Sequence, residues 1–445
     1  MIIRQIEEKI DNWIKKERNA LLIEGARQVG KTFTIRECLK RSGTDHLEIN
    51  LIDEPDLISI FEKSSSVKEL TENLSLAKNH RFIKHKTILF IDEVQEYKDI
   101  LTRIKFWVDE GSYRYILSGS LLGIELIDLR SAPVGYLNTI RMYPLDFQEF
   151  LKASGVIEDT FMTLQNAFDN KKPLSDTVHK KMMEHFRRYL VIGGMPAAVE
   201  KYISDGDMNA VSEIQANIIL QYKKDFTKYE TKDKKFMIEA VYDRIPSELL
   251  KQNRRFSYTK IKNGLKYERI EDSFLWLKAA GVAIFVCNAT EPRLSLKQNE
   301  KSSLVKIYLS DVGLLTQQYG SNVKLDILLD KSAVNCGGIY ENAVAMELSK
   351  HGFDTWYYNS RKLGELDFVI EYKNSVLPIE VKSGKDYYIH SAINNVLNIP
   401  DFEINEAIVF SNYNLSTNGK ITYLPIYMST LLKKDVSLPI LKPII

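Results

Sequence analysis

The chain has 445 residues, of which 44% are apolar and 27% charged, averages typical of soluble globular proteins that exclude disordered, collagen-like and coiled-coil classes. Sixty-one basic residues stand against 59 acidic ones, so a nucleic-acid surface has to be a local patch on a nearly neutral chain. Cys38, Cys287 and Cys336 are widely separated and odd in number, which excludes a disulfide framework or paired zinc spacing and points to a reducing cytoplasm.

At about 100–200 residues per domain, the length implies about three domains. The stretch from Met1 to Arg18 carries charges throughout and reads as an amphipathic helix, not a signal peptide. No uncharged apolar run approaches the roughly 18 residues a membrane span needs, so no membrane partner is expected. From Ala20, apolar runs at 20–24, 87–91 and 113–117 alternate with helix-like stretches, which predicts a parallel α/β sheet.

Gly25, Ala26, Arg27, Gln28, Val29, Gly30, Lys31 and Thr32, with Phe33 as the last of the nucleotide-binding candidates, follow the first apolar run and precede a helix-like stretch beginning at Thr34. This is the GxxxxGK[ST] pattern in its strand–loop–helix setting. Its glycines let successive backbone N–H groups turn inward as an anion nest, and the helix N-terminus adds its dipole. Lys31 is expected to reach the β- and γ-phosphates of ATP, and the Thr32 hydroxyl to ligate Mg²⁺. The second run ends in Asp92 and Glu93. Asp92 is assigned to the Mg²⁺ shell, and Glu93 to polarising the attacking water. The third run ends in Ser118 and Ser120, with Ser118 the choice for a hydroxyl near the γ-phosphate.

After Pro144 the pattern turns helical, through LDFQEFLKA and HKKMMEHFRRYLVIGG, the latter stopped by Gly193, Gly194 and Pro196. The sequence here resembles AAA-type P-loop ATPases. The resemblance rests on GARQVGKT, LFIDEVQ, ILSGS, MYPLDFQEF and GGMPAAV. It implies ATP as ligand, Mg²⁺ as cofactor and a C-terminal domain of unknown function with a restriction-endonuclease-like fold. The resembling family commonly has Gly-Arg before the YPL segment, where this chain has Gly135-Tyr136. Tyr136 supplies no guanidinium, which leaves Arg130 and Arg141 as substitutes for an arginine finger.

Between Arg244 and Lys278 nine basic residues face four acidic ones. Helix, linker, helix, strand and turn follow in the order of a winged helix, so this region is the candidate DNA contact; winged helices also bind proteins. The apolar Phe274, Leu275, Leu277, Ala279 and Ala280 assign much of its second helix to core.

The segment from Gly337 to His390 reads helix–strand–strand–strand. Glu380 and Lys382 are two apart on one strand and share a face, and Asp367 joins them from the neighbouring strand. Two carboxylates sharing a hard cation beside an ammonium resemble the D…E-x-K nuclease core. Glu341 on the preceding helix is the additional metal-ligating acid, Glu365 a backup and Arg361 a phosphate clamp. The alternative is an ordinary Glu380–Lys382 ion pair in a fold without turnover.

The expectation is an α/β chain of four parts: a P-loop NTPase domain over residues 1–150, a helical lid over 151–220, a winged-helix region over 221–330 and a restriction-endonuclease-like domain over 331–445. Catalysis is assigned to Lys31, Glu93, Asp367, Glu380 and Lys382, and metal binding to Thr32, Asp92, Glu341, Asp367 and Glu380. The function expected is a cytoplasmic Mg²⁺-dependent ATPase acting on DNA. Its rival is a nucleotide-gated switch or scaffold that recruits a protein partner while the nuclease-like centre is inactive; among partners, a homo-oligomer is also expected.

Overall fold

The computed structural model describes residues 2–120, 135–226, 232–331 and 336–434. They fall into two compact units. One comprises the residues up to Leu145 together with Leu275–Val282, and the other comprises Asp146–Phe274 with the residues from Ala283 on.

The first unit is a five-stranded parallel sheet. Its strands are β1 (Ala20–Glu24), β2 (His46–Asn50), β3 (Ile88–Asp92), β4 (Arg114–Gly119) and β5 (Leu137–Arg141), arranged in the order β2-β3-β4-β1-β5. The expected apolar runs are β1, β3 and β4, and their near-continuous burial is what a parallel strand covered on both faces requires. One face packs Leu22, Ile49, Leu89, Ile91 and Leu117 against Phe61, Leu70, Ile104 and Trp107. Because the strands are parallel, the C-terminal ends of β1, β3 and β4 lie side by side. That edge is where α/β sheets place their ligands.

The second unit begins with helices. Asp146 caps Phe147–Ala153 in a capping box with Glu149. Helices Asp176–Ile192 and Pro196–Asp205 flank the GGMP turn. Gly193 has φ +76°, and a Cβ there would lie 2.2 Å from the Asp311 carboxylate. That carboxylate instead accepts from Gly194 N at 2.6 Å and from Leu314 N at 2.9 Å. The GG-x-P motif therefore has a physical reason: only glycine lets Asp311 reach the turn.

An eight-stranded mixed sheet completes this unit. It contains β6 (Ala283–Ala289), β7 (Glu300–Leu309), β8 (Trp356–Ser360), β9 (Gly364–Tyr372), β10 (Ser375–Val381), β11 (Ala407–Ser411), β12 (Ser416–Asn418) and β13 (Ile421–Pro425). Their order is β12-β13-β11-β10-β9-β8-β6-β7. The sequence pattern groups the hairpin β6–β7 with the middle region and β8 onward with a separate C-terminal domain. Here β6 runs parallel to β8, pairing Cys287 with Trp356 and Ala289 with Tyr358, so the hairpin extends the C-terminal sheet. In the helix Glu271–Ala279, Phe274, Trp276 and Leu277 are buried, while Leu275 is half-exposed. Among the described residues no helix is long and apolar enough to cross a membrane.

Candidate functional site

The loop between β1 and the helix Lys31–Ser42 carries the glycine pattern. Gly25 has φ +152°, and a Cβ there would lie 2.2 Å from the Met142 carbonyl oxygen, so no other residue fits. Gln28 (φ +64°) and Gly30 (φ +95°) take left-handed conformations that curl the loop. Val29 and Ala26 are buried, Arg27 is half-buried and Phe33 is exposed. Arg4, which the sequence reading did not single out, pins the loop from outside: its guanidinium donates to Val29 O at 2.9 Å and Tyr143 O at 2.7 Å. A buried arginine just ahead of a charged amphipathic helix carries no local signal of that role.

Lys31 Nζ donates to the carbonyls of Gly25 (3.0 Å) and Ala26 (2.9 Å). Burial pushes its pKa down to about 8, although Glu93 and then Asp92 oppose the shift. A phosphate offers this ammonium charged acceptors stronger than two carbonyls.

Asp92, at the end of β3, is almost fully buried and accepts hydrogen bonds from uncharged donors. Thr32 Oγ1 donates to Oδ2 at 2.6 Å, and Asn50 Nδ2 does so at 3.4 Å. Glu93 N donates to Oδ1 at 3.0 Å, and Ser118 Oγ donates to the same oxygen. The Thr32 hydroxyl and the Asp92 carboxylate converge, as the few oxygen ligands of a largely hydrated Mg²⁺ must, so these residues fit that ion. Ser118, expected near the γ-phosphate, is engaged by Asp92. Glu93 sits at φ +56°, a left-handed conformation rare for a residue with a side chain, and Gln95 Nε2 donates to its carboxylate. Gln95 is a second residue the sequence reading missed, and its only signal is a spacing of two from Glu93.

Arg141 Nη2 donates to Lys278 O at 2.7 Å, and its Nε lies 3.9 Å from Glu24. It is thereby tied into its own unit. Arg130 lies outside the described residues.

In the second unit, β9 and β10 are antiparallel, and Asp367 and Glu380 are one step beyond the last register pair, Ile379 with Phe368. Asp367 Oδ2 accepts from Val381 N at 2.9 Å, and Lys382 Nζ is 3.0 Å from Glu380. The four expected residues Asp367, Glu380, Lys382 and Glu341 do gather, but a fifth organises them. Lys306, fully buried on β7, places its Nζ 2.7 Å from Glu365, 3.6 Å from Asp367 and 3.9 Å from Glu341. Arg254 pairs with Glu341 Oε1 at 2.5 Å, and the Tyr308 hydroxyl donates to Oε2 at 2.9 Å. Both oxygens of Glu341, expected on a metal, are thus held by protein groups.

Burial pushes Glu341 up to about 7, with Asp367 adding to the shift. Burial and then Asp367 push Glu380 up to about 8. For Asp367 burial acts in the same direction, but Lys306 and Arg254 outweigh it and hold the carboxyl below its ordinary range. Asp367 and Glu380 offer two adjacent hard oxygens, a donor set that suits Mg²⁺ or Mn²⁺, while an ammonium already borders them.

Of the basic middle region, Arg244 and Lys251 both pair with the buried Glu248, and Arg254 serves Glu341. Three of the nine cations therefore act internally. Arg361 is exposed between β8 and β9.

Residues 17–151 match the model of an AAA domain. Residues 183–324 and 336–428 match two domains of unknown function, DUF8612 and DUF4143. No curated protein matches the chain. Among solved structures, a Walker-type ATPase of Pyrococcus abyssi is 14% identical with a TM-score of 0.44, over 72% of this chain and 96% of that one. The Aeropyrum pernix Orc1 protein, solved in complex with DNA, is 14% identical with a TM-score of 0.27, over 72% and 93%. The Pyrobaculum aerophilum Cdc6p is 11% identical with a TM-score of 0.24, over 74% and 94%. These TM-scores mark loose likenesses. Residues 17–151 thus carry an AAA domain.

Proposed function

We propose that this chain binds ATP with Mg²⁺, hydrolyses it slowly, and couples the nucleotide state to DNA binding or processing through its second unit. The observation that carries the nucleotide part is the convergence of Lys31, Thr32, Asp92 and Glu93 at the C-terminal ends of β1 and β3. Lys31 would leave the Gly25 and Ala26 carbonyls for the β- and γ-phosphates. Thr32 and Asp92 would hold Mg²⁺, which supplies charge neutralisation on the phosphate oxygens. Glu93, held by Gln95, would orient the water for in-line attack and take its proton.

The DNA part rests on the six remaining basic residues of the middle region and on the pairing of Asp367 with Glu380 beside Lys382. Phosphate release from Mg·ATP, measured with and without duplex DNA, tests it: DNA-stimulated turnover is the expected result. A rate indifferent to DNA removes the coupling. Loss of DNA cleavage in Asp367→Ala would place hydrolysis at the second centre.

One observation favours the second reading, a nucleotide-gated switch with an idle nuclease-like centre that recruits a protein partner or a second copy of the chain. Lys306 and Arg254 already pair with Glu341, Glu365 and Asp367, so protein cations occupy oxygens that a metal would need. Under this reading wild type and Asp367→Ala leave DNA equally intact.

A further inference from the structure

A second buried cluster in the same unit serves neither centre. Asp146, Glu149, Glu347, Lys350 and His351 meet where the N-terminus of the helix Phe147–Ala153 faces the helix Gly337–Lys350. Asp146, Glu149 and Glu347 side chains are each 1% exposed. Part of the cluster is plainly structural. Phe147 N donates to Glu347 Oε1 at 2.8 Å, and Glu149 N donates to Asp146 Oδ1 at 2.7 Å. Lys350 lies 2.9 Å from Asp146 Oδ2 and also pairs with Glu149.

These contacts leave one oxygen of Glu347 and one ring nitrogen of His351 buried and unmet. His351 sits at the gap. Its Nδ1 is 2.8 Å from the Leu432 carbonyl oxygen, which can only accept, so the proton belongs on Nδ1 and the Nε2 lone pair points inward. That Nε2 lies 3.7 Å from Asp146 Oδ2 and 3.9 Å from Glu347 Oε2. A lone pair facing two carboxylate oxygens is repulsive, and even a protonated Nε2 would be too far from either for a hydrogen bond. Both Nε2 and Glu347 Oε2 are buried without a hydrogen-bond partner.

We propose that Asp146, Glu347 and His351 bind one divalent transition-metal ion of the zinc class. One imidazole nitrogen and two carboxylate oxygens lie within 4.8 Å of one another, a donor set suited to zinc. Ligands about 2.1 Å from a tetrahedral zinc stand about 3.4 Å apart, so the two separations from His351 Nε2, 3.7 and 3.9 Å, close with shifts of a few tenths of an ångström. A dication gives Glu347 Oε2 and His351 Nε2 the partner that neither has. The Nδ1–H to carbonyl contact is the outer hydrogen bond that fixes the tautomer of metal-binding histidines. The ion would tie the segment after the AAA domain to the helix that carries Glu341.

The test uses the full chain, stripped with chelator, equilibrated with zinc chloride at micromolar concentration, separated by gel filtration and assayed for metal by mass spectrometry. Wild type and Asp367→Ala are expected to retain one zinc per chain, and His351→Ala and Glu347→Gln at least tenfold less, with a circular-dichroism spectrum and a urea transition of the second unit matching wild type confirming that each variant folds. No retention by wild type, or retention unchanged by both cluster substitutions, overturns the site. Should both variants fail to fold, Co²⁺ added to stripped wild type decides: intense visible bands of four-coordinate Co²⁺ support the site, and the pale spectrum of the hydrated ion overturns it.

Discussion

Around Asp92 a buried carboxylate is met by two hydroxyls, a side-chain amide and a backbone N–H, whereas around Asp367 the acids are met by an ammonium and a guanidinium. The difference decides how readily each centre takes up a dication. Hydroxyls rotate, and Thr32 can turn its oxygen from donor to metal ligand without moving a charge. Lys306 is fully buried and must be displaced, or share its acids, before a metal enters. At the first centre Mg²⁺ meets an acid held by groups that can turn aside, while at the second it meets acids already paired with fixed cations.

The substitution with the largest expected effect on this contrast is Lys306→Met. Removing one partner of a buried ion pair costs about 3–5 kcal/mol, so the second unit should lose that much in a urea titration. Millimolar Mg²⁺ that restored the midpoint would show a dication taking the ammonium's place and would strengthen the nuclease-like reading. Next comes Lys31→Ala. Its two carbonyl contacts are dispensable, but its loss should weaken ATP binding by about 100-fold, the worth of one or two charge-assisted hydrogen bonds, as read by calorimetry.

Asp311 gives the smallest effect and calibrates the comparison, because the hydrogen bonds that hold its carboxylate come from backbone amides. Burial pushes it from an ordinary value near 3.8 up to about 6. The folded chain therefore holds a proton that the unfolded chain has already lost between about pH 4 and pH 6. Stability should fall as pH rises through that window, by at most about 1.4 kcal/mol per pH unit, and the contribution should be flat above it. Thermal midpoints of wild type and Asp311→Asn across that range check the slope.

Why the two centres differ in how far sequence reveals them follows from the same chemistry. The phosphate loop, Asp92-Glu93 and the serines ending β4 are each set by a few consecutive residues in a strand–loop context, so position follows from pattern. Asp367, Glu380 and Lys382 share a face through the period of two, which the sequence also carries. Lys306 depends on partners 35 to 61 positions away, and in KSSLVKIYL it reads as one more lysine. The available hint was that Val305, Ile307, Tyr308 and Leu309 leave no polar face for it to occupy. Pairing of β6 with β8 is likewise non-local, so the hairpin was grouped with its sequence neighbours. The Asp146, Glu347 and His351 cluster spans more than 200 positions and has no motif at all.

The most direct test is phosphate release from Mg·ATP by wild type and Glu93→Gln side by side, with ATP binding measured on both. The expected result is measurable turnover in wild type and a loss of about 10²–10⁴-fold in Glu93→Gln, the usual worth of a general base, with ATP still bound. Equal release by the two proteins would contradict the role of Glu93 and with it the reading of this centre as a hydrolytic one.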